Sequence, residues 1–500
     1  MFNLEKLDEL KGRGLVDSSF VNIKKWLGSE EYAEFHSEIQ ALIEAGNVTE
    51  LNEAFFQVIP FGTGGRRGKM GAGCNRINSR TIAESAQGVA DYLVECFTPN
   101  EARARGVVIT YDVRHNSEKF AKVAAEVFVA NGFKVYFYNG VRSTPQISFT
   151  IRNKKAIAGA MISASHNPPS DNGIKVYWDT GGQVVPPHDG KIIAKVNNVG
   201  RIEKYDFDKA LSNGKIIMLG EELDEAYQQT VAKLSLSNER DAHIVFTPLH
   251  GCASTSFLPV LRHAGFSRID VVELQMPFDP EFSAVANHIP NPEVPISLDL
   301  ATRQARESGA DLIVASDPDA DRIGVVSRES LANNNYIFLN GNQIGVLLFD
   351  YITKQRKATG SLPEHGVLIK TIVTTDLLAK IAEANNLDVI TDLPVGFKYI
   401  ANAMDTRLVG REFVFGTEES HGYLYGDYCR DKDGAIAALL ICEYAALLKK
   451  QGRTLFEQLE FIKKEYGYFR EILQAIYFSG MDGMDKMLKI MAELRADFPT

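Results

Sequence analysis

The sequence contains no apolar run as long as a membrane span and no secretory leader. A membrane-spanning helix needs about 20 consecutive apolar residues, and no stretch of the 500 residues reaches that length. The N-terminus alternates charges from Glu5 to Lys11 instead of following a basic start with an apolar core. We therefore expect a cytoplasmic protein without a membrane partner.

Cysteines are also few, and acidic residues outnumber basic ones. The five cysteines are scattered and form no Cys-x-x-Cys pair, which indicates reduced thiols and a cytosolic setting. The 54 Lys and Arg residues are outnumbered by 64 Asp and Glu, giving a net charge of −10. This balance argues against a nucleic-acid partner. An anionic small molecule remains compatible, because a local basic pocket can lie inside an acidic protein.

Three common site motifs are missing. The glycine-rich segment 61–69 has Thr63 where a P-loop needs glycine and Met70 where it needs Ser or Thr. A dinucleotide fingerprint would need glycine where Arg67 stands, and no Gly-x-Ser-x-Gly elbow is present. What remains is a loop suited to binding an anion, or simply a flexible basic loop. Its cations are Arg66, Arg67 and Lys69.

Apolar runs alternate with helical patterns along most of the chain, and each run ends abruptly in a polar loop. The clearest runs are 106–110, 156–162, 244–246, 312–315 and 413–415. Strands that alternate with helices in this way predict βαβ units and largely parallel sheets. The first fifty residues have a helical pattern instead.

The chain is too long for one compact core, so we expect several domains. The predicted fold class is α/β, with three successive α/β domains whose mixed, mostly parallel sheets surround a central cleft. The predicted divisions are an N-terminal helical extension over 1–50, domains over 51–205, 206–327 and 328–452, and a remainder over 453–500.

The loop that follows the run 156–162 brings together a hydroxyl, an imidazole and an amine, from Ser165, His166 and Lys175. Open α/β sheets carry their chemistry beyond the carboxyl ends of strands. A hydroxyl held near a cation could relay a phosphoryl group. An isolated Ser-His pair is more often structural, and a histidine adjacent to the serine argues against a hydrolase triad. The serine gains weight only in combination with other polar loops.

Three carboxylates at alternating positions, Asp317, Asp319 and Asp321, leave the run 312–315. In extended chain they project to one side and can share a hard cation. An EF-hand is excluded because Arg322 stands where that loop requires glycine. The alternative is a solvated acidic turn, but apolar strands on both sides put the turn at a sheet edge. We predict a Mg²⁺ site.

Two later loops carry groups suited to a sugar phosphate. Glu418 and Ser420 follow the run 413–415 and could bind sugar hydroxyls, or could simply cap a helix. Arg430 and Lys432 open a helix and could hold a phosphate or form salt bridges.

Together these segments resemble the α-D-phosphohexomutase family, in particular its phosphoglucomutase and phosphopentomutase branch, which carries an N-terminal helical extension. The matching motifs occur in family order over roughly residues 50 to 460. They are the segments 61–68, 163–175, 317–322 and 416–422.

The resemblance implies roles for individual residues. Ser165 would be the phosphoserine, and one Mg²⁺ per chain would be held by Asp317, Asp319 and Asp321 with a phosphate oxygen of that serine. Lys175 would be a candidate for proton transfer. The expected catalytic group is Ser165, Lys175, Arg67 and His166. The expected substrate-binding group is Arg322, Gly396, Lys398, Glu418, Ser420, Arg430 and Lys432.

The implied activity is an isomerase reaction that interconverts glucose 1-phosphate and glucose 6-phosphate, with glucose 1,6-bisphosphate as intermediate and activator. Phosphopentomutase, phosphomannomutase and hexose-bisphosphate synthase are the alternatives within the enzyme class. A catalytically inactive relative that only binds sugar phosphate is the alternative outside it. The expected partners are small sugar phosphates, and the chain is expected to be a monomer or homodimer.

The sequence departs from the family pattern in two ways. Ser163 replaces the usual threonine of the serine motif. The resemblance also implies a fourth domain whose Arg-x-Ser-Gly-Thr-Glu-Pro loop clamps the distal phosphate, and no such stretch follows Arg453. The three predicted domains would thus be the phosphoserine, metal-binding and sugar-binding domains, and 453–500 would be a linker with a missing or incomplete fourth domain.

Overall fold

The computed structural model describes residues 4–62, 65–474, 476, 478 and 481–496. The chain divides into two compact units. The first consists of Met1–Pro60, Met70–Thr81 and Arg470–Thr500, and the second consists of Phe61–Lys69 and Ile82–Phe469. Among the described residues, no helix has both the length and the hydropathy that crossing a membrane requires.

The first unit is helical, as predicted for the N-terminal extension. Its core combines aliphatic side chains with a group of aromatic rings: the ring of Trp26 stacks on Tyr32 with centroids 4.5 Å apart and lies T-shaped to Phe55 at 5.6 Å. A further helix covers Met481–Ala496. The first helices of the chain are α1 (Leu4–Lys11), α2 (Asp17–Leu27), α3 (His36–Ala45), α4 (Val48–Phe55) and α5 (Ser79–Cys96), the last of which continues into the second unit.

The second unit begins with a six-stranded sheet. Its strands are β1 (Gly65–Lys69), β2 (Val107–Tyr111), β3 (Val135–Tyr138), β4 (Ala158–Ile162), β5 (Asp171–Trp178) and β6 (Ile216–Leu219). Their order is β1-β5-β4-β2-β3-β6, with a parallel interior and antiparallel pairing at β5 and β1. The helices that follow α5 are α6 (Pro99–Arg105), α7 (Ser117–Ala130), α8 (Thr144–Lys154), α9 (His188–Asn197) and α10 (Phe207–Ser212).

The end of the glycine-rich segment is an edge strand, although the sequence predicted a flexible loop. Strand β1 pairs antiparallel with β5, so that Arg67 lies opposite Gly173. Gly65 makes this approach possible, because a Cβ there would lie 1.7 Å from the carbonyl oxygen of Ile174. The pairing partner is more than a hundred residues away in sequence, which is why a local pattern did not reveal the strand.

The second sheet surrounds the aspartate motif. Its strands are β7 (Ile244–Thr247), β8 (Ile269–Val271), β9 (Leu312–Ser316), β10 (Ile323–Arg328) and β11 (Tyr336–Leu339), in the order β11-β10-β9-β7-β8. Its helices are α11 (Glu221–Ala232), α12 (Ala253–His263) and α13 (Asp299–Ser308). Strands β9 and β10 form an antiparallel hairpin, whose turn is the segment 317–322.

The third sheet has four strands, β12 (Gly366–Thr371), β13 (Asp388–Leu393), β14 (Glu412–Glu418) and β15 (Gly422–Leu424), in the order β13-β12-β14-β15. Its helices are α14 (Gly341–Ala358), α15 (Leu377–Ala384), α16 (Phe397–Thr406), α17 (Gly434–Lys450) and α18 (Leu455–Tyr466). Helix α17 is buried along most of its length and joins the cores of the second and third sheets. The predicted succession of three α/β domains with mixed sheets is confirmed.

Two sheets extend past the predicted boundaries. Strand β6 pairs in parallel with β3, so the first sheet continues beyond residue 205. Strand β11 pairs with β10, so the second sheet continues beyond residue 327. Both are edge strands that lie after a break in the sequence pattern, so each of these sheets includes one strand from beyond that break.

Gly251 lets the loop after β7 pack directly against the aspartate turn. A Cβ at this position would lie 2.4 Å from Cα and 2.7 Å from the carbonyl oxygen of Pro318. We expect Gly251→Ala to lower the free energy of unfolding by about 1–3 kcal/mol, because backbone must move to relieve the overlap. Chemical denaturation measures this change. The control is Gly190→Ala, where a Cβ meets nothing within 4 Å; equal effects of the two changes would contradict the packing account.

Candidate active site

Loops from all three sheets of the second unit line one cavity of about 370 Å³. The polar loops that follow the apolar runs 156–162, 312–315 and 413–415 all contribute residues to this cavity. Since the carboxyl ends of strands converge in open α/β sheets, this is the expected position of a site. The predicted site residues that line it are Arg67, Ser165, Lys175, Asp321, Arg322, Gly396, Lys398, Glu418, Ser420 and Lys432.

Ser165 is buried and has a left-handed backbone, with φ of 51°. This conformation is uncommon for a residue other than glycine, so the surroundings must hold it. Its Oγ donates a hydrogen bond to Asp317 Oδ2 at 2.7 Å, and its N–H donates to Ser163 Oγ at 2.8 Å. A threonine at 163 would offer the same hydroxyl, so the departure from the family pattern leaves this contact intact.

Asp317, Asp319 and Asp321 form a buried cluster that fits a divalent cation. One carboxylate oxygen from each lies within 4.8 Å of the others. Among the described residues, Oδ1 of Asp319 and Oδ1 of Asp321 are buried without a hydrogen-bond donor. Buried carboxylate oxygens that lack donors are suitable ligands for Mg²⁺, which prefers oxygen.

Lys175, on β5, supplies a cation to this cluster. Its Nζ donates to Asp319 Oδ2 at 2.5 Å and to Asp321 Oδ2 at 3.2 Å. Burial acts to lower the pKa of Lys175, but the carboxylates of Asp319 and Asp321 outweigh it and raise the pKa above its ordinary value. Burial acts to raise the pKa of Asp319, and Lys175 reverses this, so that the pKa lies well below normal. Lys175 is therefore an ammonium group.

The imidazole of His166 is neutral. Burial lowers its pKa to about 2, and the guanidinium groups of Arg322 and Arg67 act in the same direction. Nδ1 accepts a hydrogen bond from Arg322 at 3.1 Å, so the ring proton is on Nε2. Ser165 Oγ is 3.3 Å from the same nitrogen. The ring lies beside the serine, as the sequence predicted, but a histidine with this pKa does not release a proton near neutral pH.

Glu418, at the end of β14, and Ser420, in the turn that follows, line the cavity, whereas Glu419 between them does not. Glu419 is anchored by Thr371, whose Oγ1 donates to its carboxylate at 2.8 Å. Lys432 Nζ lies 3.7 Å from Glu418 Oε1 and 3.2 Å from Asp321 Oδ2. The ammonium group of Lys432 thereby links Glu418 at the end of β14 to the aspartate turn, residues 317–322.

The substrate-binding residues predicted around position 430 separate in the structure. Lys432 lines the cavity, whereas Arg430 lies outside its lining. The Arg430 guanidinium donates to Asp405 Oδ1 at 2.7 Å and contacts Asp427 Oδ1 at 2.7 Å. Arg430 therefore has carboxylate partners of its own. The sequence pattern could not distinguish the two cations, because both precede the same helix.

Two site residues were missed by sequence analysis. Thr144, at the start of α8, donates its Oγ1 to Asp319 Oδ2 at 2.8 Å and its N–H to the Asp319 carbonyl at 2.8 Å. Gln183 lines the cavity, and its Nε2 donates to Asp431 Oδ2 at 2.9 Å. The Ser-Thr-Pro start of α8 is a helix-start signal that could have drawn attention to Thr144. No comparable local signal marks Gln183.

The buried Glu418 carboxyl predicts a pH dependence. Burial raises its pKa to about 7, against the opposing effect of Lys432 and Arg322. A carboxylate accepts hydrogen bonds from hydroxyls, and its protonated form accepts fewer. We therefore expect KM for a sugar phosphate to rise roughly tenfold between about pH 8 and about pH 6.

The measurement is KM against pH for the wild type and for Glu418→Gln, which cannot ionise at this position. The ratio of the two removes the titration of the substrate phosphate. We expect the wild-type advantage to disappear at low pH. A ratio that is constant across this range would contradict the assignment.

Three family models match the chain. They describe the α/β/α domains I, II and III of phosphoglucomutase/phosphomannomutase and cover residues 58–203, 225–330 and 340–465. A phosphoglucomutase of Staphylococcus haemolyticus is 34% identical over 93% of this chain and 82% of its own length. One from Staphylococcus epidermidis is 35% identical over 90% of this chain and 81% of its own length.

Solved structures agree with this result. The structure of a Thermus thermophilus protein described as a phosphomannomutase superimposes with a TM-score of 0.67 and 27% identity, over 82% of this chain and 84% of that one. The open form of a Paramecium phosphoglucomutase, parafusin, shares the fold, with a TM-score of 0.59 and 19% identity, over 82% of this chain and 77% of that one.

The three domains and the serine held against the aspartate cluster define a phosphohexomutase, an isomerase that works by moving a phosphoryl group. More narrowly, the chain belongs to the phosphoglucomutase/phosphomannomutase family.

Proposed function

We propose that this protein is a phosphoglucomutase, which interconverts glucose 1-phosphate and glucose 6-phosphate through a phosphorylated Ser165. The proposal depends chiefly on one observation: Ser165 Oγ is 2.7 Å from Asp317, beside the buried carboxylate cluster, in a cavity lined by cations. The staphylococcal relatives at 34% and 35% identity, which bear the name phosphoglucomutase, support the choice of glucose.

The proposed reaction passes the phosphoryl group of Ser165 to the free hydroxyl of a bound hexose monophosphate. The bond between phosphorus and Ser165 Oγ breaks, and a bond to the sugar oxygen forms, giving glucose 1,6-bisphosphate. The bisphosphate then turns around and returns its other phosphoryl group to Ser165. In the proposal the bisphosphate is both the intermediate and the activator that restores lost phosphoserine.

Charge stabilisation is the main demand of this reaction. A phosphoserine carries about −1.5 to −2 charges, so a buried one needs nearby cations. Arg67, Arg322 and Lys432 line the cavity and are proposed to contact phosphate groups. Mg²⁺ held by Asp317, Asp319 and Asp321 would supply further positive charge to the phosphate of Ser165.

Lys175 is the proposed proton donor. Its ammonium form, maintained by Asp319 and Asp321, can protonate the Ser165 oxygen as the phosphoryl group leaves. The proton that the attacking sugar hydroxyl releases restores the ammonium group of Lys175. In the second transfer that ammonium group protonates the departing sugar oxygen, and the proton released by Ser165 Oγ returns to the amine. Asp317 accepts the hydrogen bond of the free serine and so keeps its oxygen directed at the carboxylate cluster.

Sugar recognition is assigned to the third sheet. Glu418 and Ser420 are proposed to bind ring hydroxyls, with Gly396 and Lys398 beside them, because all four line the cavity. The sequence of this turn, Glu418-Glu419-Ser420, favours glucose over mannose.

Comparing glucose, mannose and ribose 1-phosphates by kcat/KM tests the choice of sugar. We expect glucose 1-phosphate to give the highest value. A strong preference for mannose 1-phosphate would indicate a phosphomannomutase, and one for ribose 1-phosphate a phosphopentomutase. Either outcome would overturn the proposed substrate and leave the serine chemistry in place.

The proposal also assigns roles to the domains, a cellular location and an oligomeric state. The predicted domains 51–205, 206–327 and 328–452 are proposed to act as phosphoserine, metal-binding and sugar-binding domains. A cytoplasmic location is supported by the five cysteines, all of which are free thiols. The chain is proposed to act as a monomer or homodimer on small sugar phosphates.

A further inference from the structure

Arg114 is a buried cation that the proposed reaction does not use. It follows β2 in the segment Asp112-Val113-Arg114, and only 3% of its surface is exposed. A buried guanidinium is costly unless its donors are satisfied. Both terminal nitrogens of Arg114 donate hydrogen bonds to the segment 163–171, which contains Ser165 and is called the serine loop.

Four backbone carbonyls of the serine loop accept hydrogen bonds from this one side chain. Nη2 donates to the carbonyls of Ser165 and Asn167, each at 2.5 Å. Nη1 donates to the carbonyls of Pro168 at 2.7 Å and Asp171 at 3.1 Å. The guanidinium therefore holds the loop at several points between residues 165 and 171. One of these points is the carbonyl of Ser165, the residue proposed to carry the phosphate.

Asp112, in the same loop, and Phe282, from a distant segment, hold Arg114 in turn. Asp112 Oδ2 lies 3.4 Å from Arg114 Nε, and Asp112 Oδ1 accepts hydrogen bonds from the Arg114 N–H and the Ser117 hydroxyl. The ring of Phe282 lies 5.2 Å from the guanidinium carbon. Planar stacking and a fork of donors are properties of arginine that lysine lacks.

We propose that Arg114 is a positioning residue for phosphoryl transfer: it holds the left-handed backbone of Ser165 so that Oγ stays aligned with the bound sugar phosphate. This inference rests on the proposed function. The strained φ of Ser165 needs an external constraint, and the bond to the Ser165 carbonyl supplies it. Misplacement of a reacting group by about 1 Å can cost about 10²-fold in rate.

The inference predicts a separation of kcat from KM. The residues proposed to bind the sugar, Glu418 and Ser420, have no contact with Arg114 among the described hydrogen bonds and ion pairs. We therefore expect Arg114→Lys to lower kcat by roughly 10- to 100-fold, while KM changes by less than about threefold. Arg268→Lys, which changes a half-exposed arginine just before β8, is the matched control and is expected to leave both constants unchanged.

Chemical rescue distinguishes positioning from a general loss of structure. In Arg114→Ala, guanidinium ion at a low, non-denaturing concentration is expected to restore part of kcat, whereas sodium and methylammonium ions are not. Thermal unfolding and circular dichroism verify that each variant is folded. If the variants at 114 do not fold, Phe282→Leu, which keeps all four hydrogen bonds, is expected to lower kcat by a smaller factor at unchanged KM.

Assays of the wild type distinguish a failure of the proposed function from a failure of the role proposed for Arg114. Wild type that carries no phosphate on Ser165 even after incubation with glucose 1,6-bisphosphate would overturn the proposed function. Phosphorylated, active wild type together with an Arg114→Lys variant of unchanged kcat would overturn only the role of Arg114. The role would also be overturned if kcat/KM fell only because KM rose. A folded Arg114→Ala variant that guanidinium does not rescue would overturn it as well.

Discussion

Ser165→Ala is expected to lose mutase activity by at least about 10⁴-fold and to contain no covalent phosphate. The reason is that the proposed cycle passes every phosphoryl group through Ser165 Oγ, and among the described residues no other hydroxyl donates to the carboxylate of Asp317. The fold should persist, because alanine tolerates the site sterically. Activity assays and intact-mass measurement on the same preparation provide the two readouts.

Ser170→Ala is the matched control for this variant. Ser170 lies in the same loop but is exposed, and its hydroxyl donates to the neighbouring Asp171 at 2.9 Å. We expect wild-type activity and a full phosphate load in Ser170→Ala. An active Ser165→Ala protein would refute the mechanism, and an inactive Ser170→Ala protein would mean that the loop responds to any change.

Asp319→Asn is expected to lower kcat by about 10²- to 10³-fold and to remove stabilisation by Mg²⁺. The substitution replaces one carboxylate of the buried cluster and takes away the closest partner of Lys175. A ligand that binds only the folded state stabilises it by about 2.7 kcal/mol at a hundredfold excess over Kd. Mg²⁺ should therefore raise the wild-type Tm, a chelator should reverse that rise, and the variant should show neither effect.

The control for the metal cluster is Asp208→Asn. Asp208 is an exposed aspartate on α10, so its loss removes the same charge from the surface. We expect it to keep both activity and the Mg²⁺-dependent rise in Tm. A Tm rise in Asp319→Asn equal to that of the wild type would contradict the assignment of the cluster as a metal site.

The sequence predicted those parts of the site that lie in continuous motifs at the ends of strands. Ser165, Asp317 and Glu418 each follow an apolar run, and strand geometry alone brings such positions to one edge of a sheet. The resemblance to a family then gave them roles. The structure adds that Ser165 and Glu418 line one cavity and that Ser165 contacts the buried Asp317.

The residues that sequence analysis missed depend on contacts between distant segments. Thr144 meets Asp319 across 175 positions, and Gln183 meets Asp431 across 248. Strand β1 likewise exists because Gly65 fits against Ile174. Neither periodicity nor local propensity contains this information, because it arises only when separate layers pack together.

Arg430 and Arg114 show another limit of sequence analysis: the sequence reveals a charged residue but not the partner it binds. A basic residue at the start of a helix suggested phosphate binding, but Asp405 on α16 and Asp427 in the same loop occupy its guanidinium. Arg114 was visible in the sequence only as part of a polar loop, yet it holds four carbonyls of the serine loop. In both cases the charge was evident in the sequence and its partner was not.

Single-turnover transfer from the phosphorylated protein tests the central claim most directly. Protein that carries phosphate on Ser165 is mixed with a limiting amount of glucose 6-phosphate, and the loss of protein-bound phosphate is compared with the glucose 1,6-bisphosphate formed. The account predicts that the two amounts are equal and that peptide mapping assigns the lost phosphate to Ser165. Mutase turnover while Ser165 keeps its phosphate, or in protein that never carried it, would contradict the account.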